Sequence, residues 1–271
     1  MIVDEGRKIV FLHNPKAGGT SIRTELLKRL DVPDTFRYQG FFRDRRDGAY
    51  HMENMSHLDF EKVAAYLSPH RLGQYRFFGI LRDPFARFLS AIKEFEVKRH
   101  DWYTRFGMSL VDFLWEMLTP ESVWLPEFPW FRPQAAFFPQ GDSVPYTTFM
   151  LEDPHLEEKI SRFLFDAPGS FQLSRLNAKG GDVWFESLPQ QDQDRLVTLC
   201  QYLYTYDYEF CVRHNAHYKL LTPPVPLNHS SYLWKVRSIQ TPKVNPHLEQ
   251  PPHDDSTLYE EILTTEPPKC G

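Results

Sequence analysis

Cysteine is scarce in this 271-residue chain, with three in all. Cys200, Cys211 and Cys270 are too few and too irregularly spaced for a disulfide framework or a zinc site, and they read as reduced, structural residues. Also missing is any unbroken apolar run near the ~18 residues that a membrane-spanning helix needs. The opening residues, MIVDEGRK, lack the basic start and apolar middle of a secretory signal, so cytoplasmic residence is the expectation. Positive charge is not in excess: 31 Lys and Arg against 36 Asp and Glu leave a net charge of −5. That argues against a general nucleic-acid binder, because neutralising many phosphates takes a concentrated basic surface. Local anion sites stay open.

What the chain does have is enough length for a large core, since a domain of this size buries roughly 70–75% of its unfolded surface. Aromatic content is 15% and prolines number 22, both unevenly spread. Residues 8–13 (KIVFLH) suit a buried strand, and Ile22, Leu26, Leu27 and Leu30 then follow helical spacing. A polar, arginine-rich connection (31–56) leads to a helix with Phe60, Val63, Ala64 and Leu67 on one face. Residues 76–81 (RFFGIL) read as a second core strand, followed by a helix opening at Asp83-Pro84. A short helix is expected over 109–118, a third strand near 145–151, a helix carrying Leu156, Ile160, Phe163 and Leu164, and a last one with Leu196, Leu199, Cys200 and Leu203 inward. Strands alternating with helices predict an α/β fold, a parallel sheet of the P-loop type flanked by helices. The expected domain is 1–220. Residues 221–271, rich in Pro and polar residues, read as an extended, partly disordered tail.

The stretch FLHNPKAGGTSIRTELL, residues 11–27, puts a strand, a glycine turn and a helix in sequence. Small residues at a helix N-terminus expose backbone N–H groups, and the helix dipole favours an anion there. Gly18 and Gly19 permit close approach, Lys16 adds a mobile positive charge, and Thr20 and Ser21 add hydroxyl donors. A glycine turn that merely links strand to helix is the competing reading of bare GGTS; the lysine and both flanking elements favour an anion site. In the common nucleotide-triphosphatase loop the lysine follows the last glycine and its neighbouring hydroxyl holds magnesium. Here the lysine comes first, and no later apolar strand ends in a metal-supporting aspartate. No metal is expected.

FFGILRDPFARFLSAI, residues 77–92, supplies a second clue. Arg82 ends a predicted strand, and Ser90 lies three residues from Arg87, on its side of the next helix and off the apolar stripe. Ligands of doubly wound sheets collect at the carboxyl ends of strands, which brings Arg82 to the rim that carries Lys16. On its own, Arg82 paired with a surface carboxylate is the plainer reading, because such pairs are common. Together the two stretches suggest a ligand with phosphates at two places.

PKAGGTS followed by RDPxxRxxS resembles the two nucleotide-binding motifs of sulfotransferases that use 3′-phosphoadenosine 5′-phosphosulfate (PAPS), above all the carbohydrate sulfotransferases of the heparan sulfate 2-O and 6-O type. The resemblance spans roughly residues 8–212, with FRPQAAFF (131–138), TTFMLEDP, SRLNAKG (174–180) and YTYDYEF as weaker landmarks. It implies that Lys16, Ala17, Gly18, Gly19, Thr20 and Ser21 hold the 5′-phosphosulfate, and that Arg82 and Ser90 grip the 3′-phosphate. Family members usually carry threonine where this chain has Ala17, which removes one hydroxyl contact.

Moving a sulfuryl group to a hydroxyl requires a group that takes the hydroxyl proton, and neutral histidine suits this near pH 7. SHLD reads as a helix start with Ser56 as cap, placing His57 in the first turn, where the dipole disfavours imidazolium. On the residues alone, an exposed histidine at a helix start is the preferred reading. HxDF also resembles the His-x-Asp-aromatic segment of heparan sulfate 6-O-sulfotransferases, which implies His57 as base, with His51, Glu53 and His13 as substitutes. Lys16 then neutralises charge on the leaving oxygen. Arg132, Gln134 and Asn177 are candidates for the acceptor or nucleotide side, with structural roles equally open.

The implied activity is PAPS-dependent O-sulfation of a carbohydrate or related acceptor, and the implied partners are the nucleotide donor and a hydroxyl-bearing glycan. The alternatives are a P-loop kinase using ATP and a non-catalytic nucleotide-binding module. Aromatic residues between 102 and 138 suit sugar stacking or a core, and Arg43, Arg45 and Arg46 suit an anionic glycan or a solvated loop. A Golgi lumen location is the alternative to the cytoplasm if the sequence is a trimmed form.

Overall fold

Along IVFL (9–12) successive side chains point to opposite faces of a sheet, and all four are apolar, so both faces need cover. The computed structural model describes residues 1–30, 39–43, 50–54, 57–67, 69–125, 127–140, 144–169, 171–173 and 181–215. Its elements are β1 (Ile2–Asp4), β2 (Ile9–Leu12), α1 (Gly19–Arg29), β3 (Gln39–Arg43), β4 (Tyr50–Asn54), α2 (Phe60–Leu67), β5 (Arg76–Leu81), α3 (Pro84–Thr104), α4 (Leu110–Met117), β6 (Tyr146–Met150), α5 (Leu156–Phe165), α6 (Gly181–Glu186) and α7 (Gln190–His214). One sheet runs β1-β2-β5-β6. Its last three strands are parallel, and β1 lies antiparallel along β2. The fold is therefore α/β, a mostly parallel sheet flanked by helices.

Strand alternation sorts the core into layers. Ile9 and Phe11, with Phe78 and Ile80, face Ile22 and Leu26 of α1 and Ile160 and Leu164 of α5. Val10 and Leu12, with Phe77 and Leu81, face Val63 and Leu67 of α2, Phe138, and Phe210 of α7. Packing over this second face is tight at Gly79, where a β-carbon would stand 2.6 Å from Phe138 Cε1 and 3.0 Å from the Leu12 carbonyl oxygen. A third core is helical, joining Phe88, Ile92 and Phe95 of α3 to Phe113 of α4 and Leu199 of α7.

One buried ion pair fixes α3. Asp207 of α7 lies 3.5 Å from Arg87 Nη2 with both side chains fully enclosed, and it accepts the Gln134 and Ala135 amides at 2.8 and 3.0 Å. Arg87 also donates to the carbonyls of Trp130 and Arg132 and lies over the Tyr204 ring. Burial raises the Asp207 carboxyl above its ordinary range, and the Arg87 guanidinium opposes that rise. Arg87 was expected beside Ser90, off the apolar stripe; it instead turns inward.

Two strand pairings differ from the sequence expectation. The stretch 31–56, read as a connection, contains the antiparallel hairpin β3–β4, described by its backbone. The three-residue β1 is too short to register as a periodic signal, yet it closes the β2 edge that would otherwise present unpaired backbone groups. The described residues fall within one compact unit, Met1–Val225, and the expected tail, 221–271, lies outside them. Cys200 and Cys211 are buried and free, while Cys270 lies outside the described residues. Among the described residues no helix is long and apolar enough to cross a membrane.

Candidate active site

The loop between β2 and α1 is built by close approach. Gly18 adopts a left-handed conformation (φ 73) that glycine accepts readily, and a β-carbon there would lie 2.6 Å from Leu151 Cδ1. At Gly19 a β-carbon would lie 2.0 Å from the His13 ring. Neither position has room for a side chain. Lys16 is also left-handed (φ 64), a conformation that an L-residue keeps only when its surroundings hold it. What holds it is Arg82, whose Nη1 donates to the Lys16 carbonyl at 3.0 Å. The loop's start is tied to β5 by Asn14 Nδ2, which donates to the Ile80 carbonyl at 3.1 Å. Ser21 and Ile22 amides turn back to the Gly18 carbonyl at 3.1 and 3.3 Å, which leaves the Gly19 and Thr20 amides outside the helical ladder.

A cleft of about 860 Å³ opens at this end of the sheet. Lys16, Gly18, Gly19, Thr20 and Ser21 line it from the first loop, Arg82 and Ser90 from β5 and α3, and His57 from the segment before α2. Ala17 does not share it: its side chain is buried in the core with Phe11 and Ile22. The expected loss of a hydroxyl contact at position 17 thus falls on the core side, and Ala17 can meet a ligand only through its backbone.

Each cation of the cleft faces a carboxylate. Lys16 Nζ is 3.1 Å from Glu94 Oε2, and Arg82 Nε is 3.7 Å from Glu152 Oε1. Glu152 also accepts the Asp83 amide at 3.2 Å, and burial raises its carboxyl above the ordinary range. Asp83 is spent elsewhere, capping α3 by accepting the Phe85 and Ala86 amides, each at 3.0 Å.

His57 Nδ1 lies 3.2 Å from the His13 carbonyl. A carbonyl only accepts, so Nδ1 carries the hydrogen and Nε2 keeps its lone pair. Burial first, with Arg23 and Lys16 adding positive potential, lowers the His57 imidazole to about 4, against the opposing hydrogen bond to His13. Contrary to expectation, His57 does not occupy the first turn of a helix capped by Ser56. α2 begins at Phe60, and its cap is Asp59, which accepts the Lys62 amide at 3.1 Å; His57 precedes the helix. Its neighbour His13 is buried, with Nδ1 unpartnered among the described residues and its ring 4.3 Å from that of His57. Burial, then the His57 charge, lowers His13 well below the usual imidazole range.

Other expected residues stand apart. Gln134 is fully buried and bridges Arg82, Asn14 and Cys211 through its amide, a strut behind the cleft rather than a wall of it. Arg132 Nη1 lies 3.9 Å from Asp59 Oδ2. Asn177, Ser56, Arg45 and Arg46 lie outside the described residues, and His51, Glu53 and Arg43 fall where only backbone is described. Among the described residues no group of three or more His, Cys, Asp or Glu is arranged to hold a metal ion.

Sequence reasoning missed Glu94 and Glu152, both of which line the cleft, while Trp130, one of the aromatics of 102–138 offered for sugar stacking or a core, lines it too. Glu94 had a usable signal, since it follows Ser90 by one helical turn. Glu152 sits in the acidic turn of TTFMLEDP, noted as a landmark but not placed. Trp102, by contrast, is buried in the helical core.

Residues 1–124 match the model of the Sulfotransferase family, a span that holds the glycine loop, His57, Arg82, Ser90 and Glu94 and ends before Trp130 and Glu152. No curated relative and no solved structure matches the chain. The match supports a sulfotransferase family, and with it sulfuryl transfer in general.

Proposed function

We propose that this protein is a PAPS-dependent O-sulfotransferase acting on a hydroxyl of a carbohydrate or related acceptor, with His57 as general base. One observation carries the reading: Lys16 with its loop, Arg82, Ser90 and His57, drawn from three separate stretches, line one cleft. The donor set fits the nucleotide by its chemistry. Thr20 and Ser21 hydroxyls and the free amides at the start of α1 suit a 5′-phosphosulfate, and Arg82 with Ser90 suits a 3′-phosphate.

When bound, PAPS supplies an activated sulfuryl group: a bond forms between the acceptor oxygen and sulfur as the bond from sulfur to the phosphate oxygen breaks. His57 takes the acceptor's hydroxyl proton at Nε2, the nitrogen left free by the hydrogen bond from Nδ1 to the His13 carbonyl. Lys16 offers positive charge for the phosphate oxygen that departs, in a cleft where the loop fixes its backbone beforehand. Arg82 serves twice, as an anion ligand and as the holder of the Lys16 carbonyl.

Calorimetry of adenosine 3′,5′-bisphosphate against AMP tests the nucleotide assignment; equal affinity would defeat it. Incubation with PAPS and a panel of glycans, lipids and small alcohols, read by mass spectrometry, tests transfer. A panel without a sulfated product, from protein that binds the bisphosphate, favours the non-catalytic reading. Turnover of magnesium-ATP would favour the kinase.

A further inference from the structure

The reaction leaves Glu94 without a task. It sits on α3 one turn beyond Ser90 and lines the same cleft. Its carboxylate meets Lys16 Nζ at 3.1 Å, with the two side chains 33% and 23% exposed. Among the described residues this is its one hydrogen-bonding or ionic partner. The other carboxylate facing a cleft cation is different in kind: Glu152 is anchored by the Asp83 amide and belongs to the framework around Arg82. Glu94 stands on α3 with, among the described residues, the lysine alone to hold its head.

A carboxylate in this place works against anion binding. The Lys16 backbone is fixed by the loop and by Arg82, so only the side chain can choose between Glu94 and an anion in the loop. An ammonium already neutralised by a neighbour attracts a phosphate less, and breaking the pair sets a partly buried carboxylate near the arriving charge.

We infer that Glu94 is a positioning residue that holds Lys16 when no nucleotide is bound and competes with the nucleotide's anionic end for it. The inference rests on the sulfotransferase reading for the identity of the anion and on the ion pair alone for the competition. Glu94 reclaims the lysine once the sulfuryl group has gone, and so favours departure of the spent nucleotide. Binding is weakened in proportion.

The test is calorimetry of adenosine 3′,5′-bisphosphate and, separately, of inorganic pyrophosphate, on wild type, Glu94→Gln and Glu94→Asp, each checked for native unfolding behaviour. Glu94→Gln removes the charge; Glu94→Asp keeps it but withdraws it by one methylene. The expected order of affinity is Gln tightest, Asp intermediate and wild type weakest, with roughly two- to fivefold between the extremes, the scale of a partly exposed ion pair. In turnover, Glu94→Gln lowers the donor KM without raising kcat, which a merely structural change would not do. Unchanged or weaker binding by Glu94→Gln overturns the inference. So does Glu94→Asp binding at wild-type strength, since that leaves only repulsion at a distance, and so does a wild type that binds neither anion. Pyrophosphate tightened by Glu94→Gln alongside equal affinity for the bisphosphate and AMP keeps the inference and removes the nucleotide reading.

Discussion

His57 is useful as a base only if it stays neutral, and its surroundings arrange that by burial rather than by a helix end. A folded-state pKa of about 4 means that the proton-accepting form is present above that pH and is lost as the pH falls through it. The acid limb of kcat/KM against pH is therefore expected near pH 4, well below the ~6.5 of an ordinary histidine; a limb between 6 and 7 would contradict this placement. Replacement of His57 by Ala should lower kcat by about 10²- to 10⁴-fold, the usual share of a general base, with bisphosphate affinity unchanged. Gly19 carries a second prediction at this scale. A β-carbon 2.0 Å from the His13 ring has to move that ring, and His13 is the residue whose carbonyl orients His57. Gly19→Ala should thus lose donor binding and turnover together, measured by calorimetry and by product mass, whereas His57→Ala loses turnover alone.

At the scale of elements, the cleft depends on how α3 is held. Its Ser90 and Glu94 line the cleft, and the helix that carries them is held one and two turns earlier by Arg87, locked to Asp207 of α7 in a fully buried pair. Removing one partner strands the other charge in an apolar interior, so Asp207→Ala is expected to destabilise the protein by about 3–5 kcal/mol, visible as a lower denaturant midpoint. The start of α2 shows what local sequence could and could not settle. SHLDF holds two good capping residues three positions apart, and propensity alone does not choose between Ser56 and Asp59. Packing chooses: Leu58 is buried against the α2 face of the sheet, so the chain reaches it before the helix begins and Asp59 becomes the cap. Asp59→Ala should cost about 0.5–2 kcal/mol, read from the same unfolding curve.

Across the whole molecule, Lys16 and Arg82 are 66 positions apart yet share a hydrogen bond, because parallel pairing of Ile9 with Arg76 through Leu12 with Gly79 brings both strand ends to one rim. That much was legible, since each loop announces itself locally and the α/β pattern says where strand ends go. The place of Glu94 one turn beyond Ser90 could be read too, but the pairing of Glu94 with Lys16 and of Glu152 with Arg82 could not, because each is made across the fold. The buried role of Gln134 was hidden for the same reason: an amide reads identically whether it lines a cleft or braces one from behind. Two cations at separate places on one rim make a claim about selectivity that a single anion site does not. Among the described residues the Ser90 hydroxyl makes no hydrogen bond to the loop, whose Lys16 carbonyl is held by Arg82 instead, so that hydroxyl can be removed without breaking a bond at the 5′ end. A hydrogen bond to a charged group contributes about 1.5–3 kcal/mol, so Ser90→Ala should weaken adenosine 3′,5′-bisphosphate by roughly ten- to hundredfold and leave AMP affinity as it was. An equal loss for both nucleotides would mean that Ser90 supports the shape of the cleft and that the 3′-phosphate is held elsewhere.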